Sequence, residues 1–225
     1  MINIKKNTHY GSVHLKVLGR NELPDMDYKS DTVWKDSVRE ASKILGLPEE
    51  NIFLVRQTHS TEGYEAPFET SEGFPEGDWI FTRKEKTAVL IRTADCMPVF
   101  FYSRTKPLVG IIHAGWKGTA AGIVPKVLDF LGEHLSSADF FLGPCIRRDR
   151  YEVQTDVSSL FENYPEAVSV KDAKIQLGLE YVLKKQLEGR QFEDSKICTF
   201  DDPDYFSHRG KDSGRNWNII YSEFY

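Results

Sequence analysis

Residues 108–118, Leu-Val-Gly-Ile-Ile-His-Ala-Gly-Trp-Lys-Gly, show the clearest local pattern in the chain. The apolar and β-branched run 108–113 is typical of a buried strand, and the glycines that follow it indicate a turn. A helix is predicted from Thr119, because apolar residues recur on one helical face as far as Leu131, and Gly132 can end it. The chain therefore contains at least one strand–turn–helix unit.

The remaining segments predict more strands than helices. Apolar patterns predict strands at 52–56, 79–82, 88–92, 99–102, 140–142 and 197–200, and helices at 31–46, 156–161 and 172–187. Residues 61–77 are rich in Glu, Gly and Pro, which is typical of a surface loop. Several strands follow one another without an intervening helix, so the pattern favours an α+β fold with a mixed sheet. Because the sequence shows no repeat and no linker, we predict a single domain over residues 1–225.

Composition and charge exclude several classes of protein. The 225 residues include 29 Lys and Arg against 34 Asp and Glu, a formal charge of −5, whereas a general nucleic-acid binder normally carries a basic excess. No apolar run approaches the ~18–20 residues that cross a bilayer, and the N-terminus shows no signal peptide. Three widely spaced cysteines make a poor disulfide framework. The sequence therefore predicts a cytoplasmic protein that binds neither nucleic acid nor membrane.

Three potential metal ligands stand where predicted strands end. His59, Cys96 and His113 each lie at or just beyond such an end, where functional groups concentrate on a rigid scaffold. Two imidazoles and one thiolate form a known catalytic zinc set that leaves a fourth position free, and the thiolate favours zinc over magnesium or calcium. The sequence separations match no local metal signature, so a buried cysteine beside two hydrogen-bonded histidines is an alternative.

The same residues also fit a cysteine hydrolase. In that interpretation Cys96 is the nucleophile and His113 is its base. Asp95 can orient a histidine or support a metal ligand, although many loop aspartates only bond their own backbone. Asp95, Cys96 and His113 are therefore candidate catalytic residues in either interpretation.

Four further residues have the chemistry to bind a flat or anionic ligand. Trp116 and Lys117 lie in a glycine-flanked turn, where an indole can stack on a ring and the backbone can come close to a ligand. Arg209 and Arg215 lie in a Gly- and Ser-rich segment, and a planar guanidinium donates two parallel hydrogen bonds to phosphate. A core tryptophan and two solvated arginines are the structural alternatives.

Five motifs occur in order along the chain. They are Gln-Thr-His-Ser at 57–60, Ala-Asp-Cys-Met-Pro-Val at 94–99, His-Ala-Gly-Trp-Lys-Gly at 113–118, Gly-Pro-Cys-Ile at 143–146 and Tyr-Phe-Ser-His-Arg at 205–209. In this order they resemble the YfiH/YlmD family, also known as DUF152 and as the multicopper polyphenol oxidase (laccase-like) or purine nucleoside phosphorylase family. The resemblance covers roughly residues 40–220.

The resemblance implies a fold, a metal and a reaction. The fold is a mixed β-sandwich surrounded by helices, and the metal is zinc held by His59, Cys96 and His113. The substrates are a purine nucleoside and phosphate, with arginine holding the phosphate, and the same site is implied to deaminate adenosine and to cleave methylthioadenosine. We expect a monomer or a small homo-oligomer. A self-contained multicopper oxidase needs more histidines than the six present, so we expect zinc rather than copper.

The N-terminal segment 1–30 departs from the family pattern. Family members open with a Gly-Gly-x-Ser segment and a Ser-Leu-Asn-Leu stretch, and neither is recognisable here. In the first long helix, Ser37 and Val38 stand near the place of an Asn-Arg pair. A divergent member that binds a nucleoside or a partner protein without turnover is therefore an alternative to the enzyme.

Overall fold

Strands dominate the structure, and α-helices cover them. The computed structural model describes residues 1–70 and 73–225. The strands are β1 Ile2–Thr8, β2 Gly11–Leu18, β3 Ile52–Leu54, β4 Gly63–Ala66, β5 Trp79–Thr82, β6 Ala88–Thr93, β7 Met97–Ser103, β8 Val109–Ala114, β9 Ala138–Leu142, β10 Glu152–Val153, β11 Val168–Lys171, β12 Lys174–Leu177, β13 Gln191–Asp194 and β14 Asn216–Phe224. The helices are α1 Val33–Leu45, α2 Trp116–Ala120, α3 Ile123–Leu131, α4 Thr155–Ser158 and α5 Leu179–Gln186.

The strands form sheets of mixed direction. The five-stranded sheet has the order β1-β2-β14-β6-β3, the six-stranded sheet has the order β13-β9-β7-β8-β5-β4, and β10, β12 and β11 form a small third sheet. Most neighbouring strands are antiparallel, while β3 and β6, β4 and β5, and β9 and β13 are parallel. The predicted α+β class with a mixed sheet is confirmed.

The two large sheets pack face to face as a sandwich. On β6, Val89 and Ile91 belong to the apolar layer between the sheets, whereas Leu90 belongs to the outer layer. On β8, Ile111 lies between the sheets and Ile112 lies on the opposite face. Because successive residues of a strand face opposite sides of the sheet, each central strand is apolar on both faces. This explains why these strands appear in the sequence as continuous apolar runs.

The helices cover the outer faces of the sandwich. Helix α1 packs Val38 and Ala41 against the five-stranded sheet, and α3 and α5 pack Val127 and Leu183 against the six-stranded sheet. Helix α1 ends as predicted at Gly46, which adopts a φ of 68°. None of the helices in the described parts of the chain has the length and apolar character of a membrane span.

The predicted helix 172–187 is wrong in its first half. Residues Lys174–Leu177 form strand β12, and helix α5 begins only at Leu179. Asp172 and Ala173 adopt positive φ angles of 51° and 60°, and this tight turn leads the chain back so that β12 pairs with β11. Hydrogen bonding between strands therefore overrides the helical spacing of the apolar residues.

Three other local predictions differ from the structure. The predicted strand 197–200 contributes only a bridge, between Cys145 and Cys198. Strand β4 lies inside the predicted loop 61–77, of which residues 71 and 72 lie outside the described residues. The predicted turn after β8 is shorter than expected, because helix α2 already begins at Trp116.

Candidate metal centre

Three chain segments bring His59, Cys96 and His113 together, hereafter the metal-ligand cluster. His59 lies in the loop that follows β3, Cys96 lies in the turn from β6 to β7, and His113 lies in β8 opposite Pro98 of β7. One ligand atom of each residue lies within 4.8 Å of the other two, and Cys96 Sγ is 3.9 Å from His59 Nε2. The fold therefore joins side chains that are distant in the sequence.

A buried carboxylate, Asp78, fixes the geometry of this cluster. It directly precedes β5 and accepts hydrogen bonds from the backbone N–H groups of Thr58, His59 and Ser60. It also accepts hydrogen bonds from Ser60 Oγ at 2.8 Å and from His113 Nδ1 at 2.7 Å. Because Nδ1 is engaged, Nε2 of His113 is the nitrogen left to ligate a metal.

Opposite charges stabilise each other inside the cluster. Burial by itself raises the pKa of the Asp78 carboxyl, but the hydrogen bonds from His113 and Ser60 outweigh it and lower the pKa. Burial also raises the pKa of the Cys96 thiol, and the neighbouring His113 charge more than reverses this, to about 6. Burial lowers the pKa of His113, whereas the Cys96 thiolate and Asp78 raise it to about 9. The Asp78 carboxylate and the Cys96 thiolate thus both act on the His113 imidazole, and together they make this part of the site attractive to a cation.

The cluster fits a divalent cation. Two imidazole nitrogens and a thiolate are a donor set for transition metals, and a metal ion displaces the protons of its ligands on binding. Gly115 leaves the space that such an ion needs, because a Cβ at this position would lie 2.8 Å from His59 Cδ2 and 3.1 Å from Cys96 Sγ. His59, Cys96 and His113 can therefore hold a metal ion.

The other histidines do not form a second centre. Within residues 1–70 and 73–225, His9, His14, His134 and His208 belong to no group of three metal-ligating side chains close enough to share an ion. The described part of the chain thus offers a mononuclear ligand set and no ligands for a multinuclear copper cluster.

The two loops that carry the ligands contain non-glycine residues at positive φ. His59 has a φ of 60° and Asp95 a φ of 86°, a conformation that is uncommon for side chains with a Cβ. The Asp95 carboxylate accepts hydrogen bonds from Thr199 Oγ1 at 2.8 Å and from the backbone N–H of Arg209 at 2.7 Å. The histidine-orienting role predicted for Asp95 therefore belongs to Asp78. Asp95 instead connects the turn between β6 and β7 to the C-terminal segment.

The metal-ligand cluster opens into a cavity of about 590 Å³. A cavity of this size suits a small-molecule ligand. Aromatic and cationic side chains contribute much of its lining: Tyr28, Trp34, Trp116, Tyr151, Arg92, His208, Arg209 and Arg215. Aromatic faces suit a flat ring, and guanidinium groups suit an oxyanion. The site therefore combines a place for a metal, a ring and an anion.

Four lining residues form what we call the arginine cluster, in which each guanidinium lies near an aromatic ring: Tyr28, Trp34, Arg92 and Arg215. The Arg92 guanidinium carbon lies 3.8 Å from the ring centroid of Trp34 and 5.6 Å from that of Tyr28. The Arg215 guanidinium carbon lies 5.9 Å from the Tyr28 ring centroid. The Tyr28 ring thus lies near both guanidinium groups. The Tyr28 hydroxyl also donates to the Arg215 backbone carbonyl at 3.3 Å.

Three of the four predicted ligand-binding residues line the cavity. These are Trp116, Arg209 and Arg215, and the Arg209 guanidinium carbon lies 5.3 Å from the ring centroid of Tyr151. Lys117 is exposed and is not part of the lining; its ammonium nitrogen lies 5.4 Å from the Trp116 ring centroid. The structure thus places the indole, but not the lysine, beside the metal-ligand cluster.

Sequence reasoning missed Asp78 and Arg92. Asp78 directly precedes the predicted strand 79–82, so an acid at the start of an apolar strand was the available signal. Arg92 is the one residue of β6 that is not fully buried. A charged residue inside an apolar strand indicates a specific partner or ligand, because burying an unpaired charge is costly.

Comparisons with known proteins show the family of this chain. The model of the family described as multi-copper polyphenol oxidoreductase laccase matches residues 27–223. A purine nucleoside phosphorylase of Clostridium acetobutylicum is 33% identical over 184 residues, which cover 76% of this chain and 76% of that protein. A purine nucleoside phosphorylase of Haemophilus influenzae is 27% identical over 191 residues, which cover 80% of this chain and 77% of that protein.

Solved structures share the fold. The crystal structure of the hypothetical protein YfiH from Bacillus licheniformis has a TM-score of 0.79 and 23% identity, with 94% of this chain and 92% of that chain covered. A Neisseria meningitidis protein of the DUF152 family has a TM-score of 0.79 and 22% identity, with 98% and 99% covered. At these identities the likeness shows the fold, which is the predicted sandwich with surrounding helices.

Proposed function

We propose that the chain, which belongs to the multi-copper polyphenol oxidoreductase laccase family, is a zinc-dependent purine nucleoside phosphorylase of the cytoplasm. The observation that carries this proposal is the convergence of His59, Cys96 and His113 on a cavity lined by aromatic and guanidinium groups. Such a cavity can bind a purine ring and a phosphate beside a metal ion. The relatives named purine nucleoside phosphorylase support the same reaction.

Phosphorolysis exchanges the base of a nucleoside for phosphate. A phosphate oxygen forms a bond to the anomeric carbon of the ribose, while the electron pair of the broken carbon–nitrogen bond leaves with the base, which takes up a proton. In this proposal Arg209 and Arg215 bind the phosphate through paired hydrogen bonds. The rings of Trp116 and Tyr151 bind the base, because aromatic faces stack on flat rings.

The metal-ligand cluster is the proposed zinc site. A zinc ion bound there supplies Lewis acidity to the reaction. Asp78 accepts a hydrogen bond from His113 Nδ1, which leaves Nε2 as the nitrogen that would bind the ion. A thiolate in the donor set selects a soft transition metal over magnesium or calcium.

Phosphorolysis is tested with inosine and phosphate, by measuring hypoxanthine and ribose 1-phosphate. We expect hypoxanthine release that depends on phosphate, and we expect His113→Ala to lose both this release and the bound zinc. The matched control is His134→Ala, because His134 is exposed and does not line the cavity. A zinc-loaded wild-type protein that releases no hypoxanthine would show that the proposal is wrong.

The proposal extends to adenosine deamination and to methylthioadenosine cleavage in the same cavity. All three substrates carry a purine, and zinc sites with His and Cys ligands are known to serve nucleobase deamination. Inosine formed from adenosine, and adenine formed from methylthioadenosine and phosphate, are the products to measure. We expect both activities to disappear in His113→Ala. An activity that survives this variant does not belong to the cavity.

One observation favours a second candidate, a cysteine hydrolase. Asp78, His113 and Cys96 are arranged as orienting acid, base and nucleophile, because Asp78 bonds His113 Nδ1 and the His113 charge acts on the Cys96 thiol. The two candidates respond oppositely to a chelator. Removal of zinc abolishes the proposed phosphorolysis, whereas it frees the thiolate of a hydrolase. A non-catalytic member of the family binds inosine but converts it neither with zinc bound nor after zinc is removed.

A further inference from the structure

Among the residues that the structure describes, Arg92 is a partly buried cation without a carboxylate partner. Its guanidinium donates a hydrogen bond from Nη1 to Ser37 Oγ at 3.2 Å. Within residues 1–70 and 73–225, no Asp or Glu lies within ion-pair distance of it, and the same is true of Arg215 and Arg209, which also line the cavity. Three guanidinium groups therefore face one cavity, and none of them is ion-paired to a carboxylate of the described residues.

The contrast with Arg147 shows what is missing at Arg92. Arg147 is also largely buried, but its guanidinium bonds Asp194 through Nη2 at 2.8 Å and through Nη1 at 3.3 Å. At Arg92 no such pair is present among the described residues. Burial lowers the pKa of Arg92 to about 10, the Tyr28 phenol acts against this, and the Arg215 charge lowers the pKa further. A cation placed in this way is costly unless a ligand neutralises it.

The position of Arg92 is nevertheless fixed. Gln57 bonds its backbone on both sides, accepting from the Arg92 N–H at 2.8 Å and donating to the Arg92 carbonyl at 2.7 Å. The guanidinium lies over the Trp34 ring, and Ser37 holds one of its nitrogens. A guanidinium has five N–H donors in a planar fork, so donors remain for a ligand.

We propose that Arg92 is the primary phosphate-binding residue of this cavity and that it contacts the same anion as Arg215 and Arg209. A planar fork held against an indole is preorganised for a tetrahedral oxyanion and loses little freedom on binding. The identity of the anion as phosphate, the second substrate of the reaction, rests on the proposed function. The observation that Arg92 has no carboxylate partner among the described residues does not depend on that function.

The test measures phosphate binding directly, with zinc-loaded protein and inorganic phosphate as the probe. Isothermal titration and the rise in melting temperature with phosphate are followed for wild type and for Arg92→Met, which keeps an unbranched apolar side chain against Trp34. We expect phosphate affinity to fall by at least about tenfold, since a charge-assisted hydrogen bond is lost. Zinc content and inosine binding should be unchanged.

Two further variants separate charge, geometry and fold. Arg92→Lys keeps the charge but loses the fork, and we expect it to recover only part of the phosphate affinity. Arg39→Met is the matched control, because Arg39 lies on the exposed face of α1 and pairs with Asp36. In phosphate-free buffer we expect Arg92→Met to melt no lower than wild type, and as much as about 2–4 °C higher, because it relieves repulsion with Arg215.

The outcomes for Arg92 and for the reaction are distinguishable. Phosphate affinity in Arg92→Met equal to that of wild type, or wild-type protein that binds no phosphate, overturns the role of Arg92. So does a phosphate-free Arg92→Met protein that melts far below wild type, because that result indicates a structural role. Phosphate binding that depends on Arg92 in a protein without phosphorolysis supports the anion site and contradicts the proposed function alone.

Discussion

Two groups of charged residues line one cavity, and their charges are balanced in different ways. Beside the metal-ligand cluster, Asp78 accepts five hydrogen bonds, and within the cluster the Cys96 and His113 charges stabilise each other. In the arginine cluster, Arg92 and Arg215 have no carboxylate partner within residues 1–70 and 73–225. The charges of the first group are held by hydrogen bonds and opposite charges from the chain itself, whereas the guanidinium groups of the second have no such counter-charge among the described residues.

This difference separates what the fold supplies from what the ligand supplies. A hydrogen-bonded carboxylate holds the metal ligands in place before anything binds, which is the arrangement that precise metal coordination needs. Unpaired guanidinium groups reduce the stability of the free protein and are relieved when an oxyanion enters. Changes in and beside the metal-ligand cluster should therefore lower stability and zinc binding together, whereas changes in the arginine cluster should lower phosphate binding without lowering stability.

The largest effect is expected from Asp78→Ala. It removes a buried charge and leaves the N–H donors of Thr58, His59 and Ser60 and the His113 imidazole without their acceptor, so we expect a loss of about 3–5 kcal/mol in the free energy of unfolding. Urea unfolding and zinc analysis measure the two consequences. Asp129→Ala, at an exposed position of α3, serves as the control. An Asp78→Ala protein with wild-type stability and zinc would remove the difference between the two groups.

Asp194→Asn tests the comparison at an arginine that is already neutralised. Asp194 bonds Arg147, and Lys184 Nζ lies 2.7 Å from its Oδ2. We expect a loss of about 2–3 kcal/mol, mostly through Arg147, because Lys184 is partly exposed and its pair is screened by solvent. Chemical denaturation measures the loss. If Asp194→Asn and Arg92→Met have the same effect on stability, the contrast between paired and unpaired arginines is wrong.

The ion pairs of Asp194 with Arg147 and Lys184 make the free energy of unfolding depend on pH. Burial raises the pKa of Asp194, but its hydrogen bonds from Arg147 and Lys184 outweigh burial and lower the pKa. The stabilisation is therefore fully present above the ordinary carboxyl pKa of about 3.9 and is lost as the pH falls through the lowered value in the folded protein. We expect the difference in unfolding free energy between wild type and Asp194→Asn to shrink below about pH 4. A difference that stays constant from neutral to acidic pH contradicts this account.

Arg215→Ala is expected to act on phosphate more than on the nucleoside. Loss of one of the guanidinium groups that bind the anion should raise the KM for phosphate by about tenfold and leave the KM for inosine nearly unchanged. Steady-state kinetics with each substrate varied in turn gives both constants. An unchanged phosphate KM would take Arg215 out of the anion site.

Gly115→Ala is expected to have the smallest effect. The backbone of Gly115 has a φ of −80°, which alanine adopts freely, so the stability of the zinc-free protein should not change. The added Cβ nevertheless meets His59 and Cys96, and a shift of a few tenths of an ångström should weaken zinc binding by several-fold, about 1 kcal/mol. Competition with a chromogenic chelator measures the affinity. Wild-type zinc affinity in this variant would show that the ligands move apart freely.

Sequence reasoning brought out the candidate metal ligands more readily than the residues around them. His59, Cys96 and His113 drew attention because each lies at or just beyond the end of a predicted strand and carries a ligating atom, and a family resemblance supported them. Asp78 and Arg92 act through contacts with segments far away in the sequence, so no local pattern marks them. Their roles depend on which strands become neighbours, which is a property of the folded sheet.

The same limit explains the errors in the fold. Strand β14 lies between β2 and β6 in the five-stranded sheet, and it was not predicted, because both of its partners are far away in the sequence. Strands β1 and β2 pair with each other as a local hairpin and were not predicted either. Segment 174–177 has helical spacing but becomes a strand once β11 is available to pair with it. Apolar runs buried on both faces, such as β6 and β8, were found because their composition alone indicates burial.

The zinc content of the purified protein tests the central claim most directly. Mass spectrometry under native conditions should show one zinc ion per chain in the wild type and none in Cys96→Ser, with both proteins folded. Wild-type protein that catalyses phosphorolysis without zinc, or a Cys96→Ser variant that retains its full zinc content, would contradict the assignment of the metal-ligand cluster.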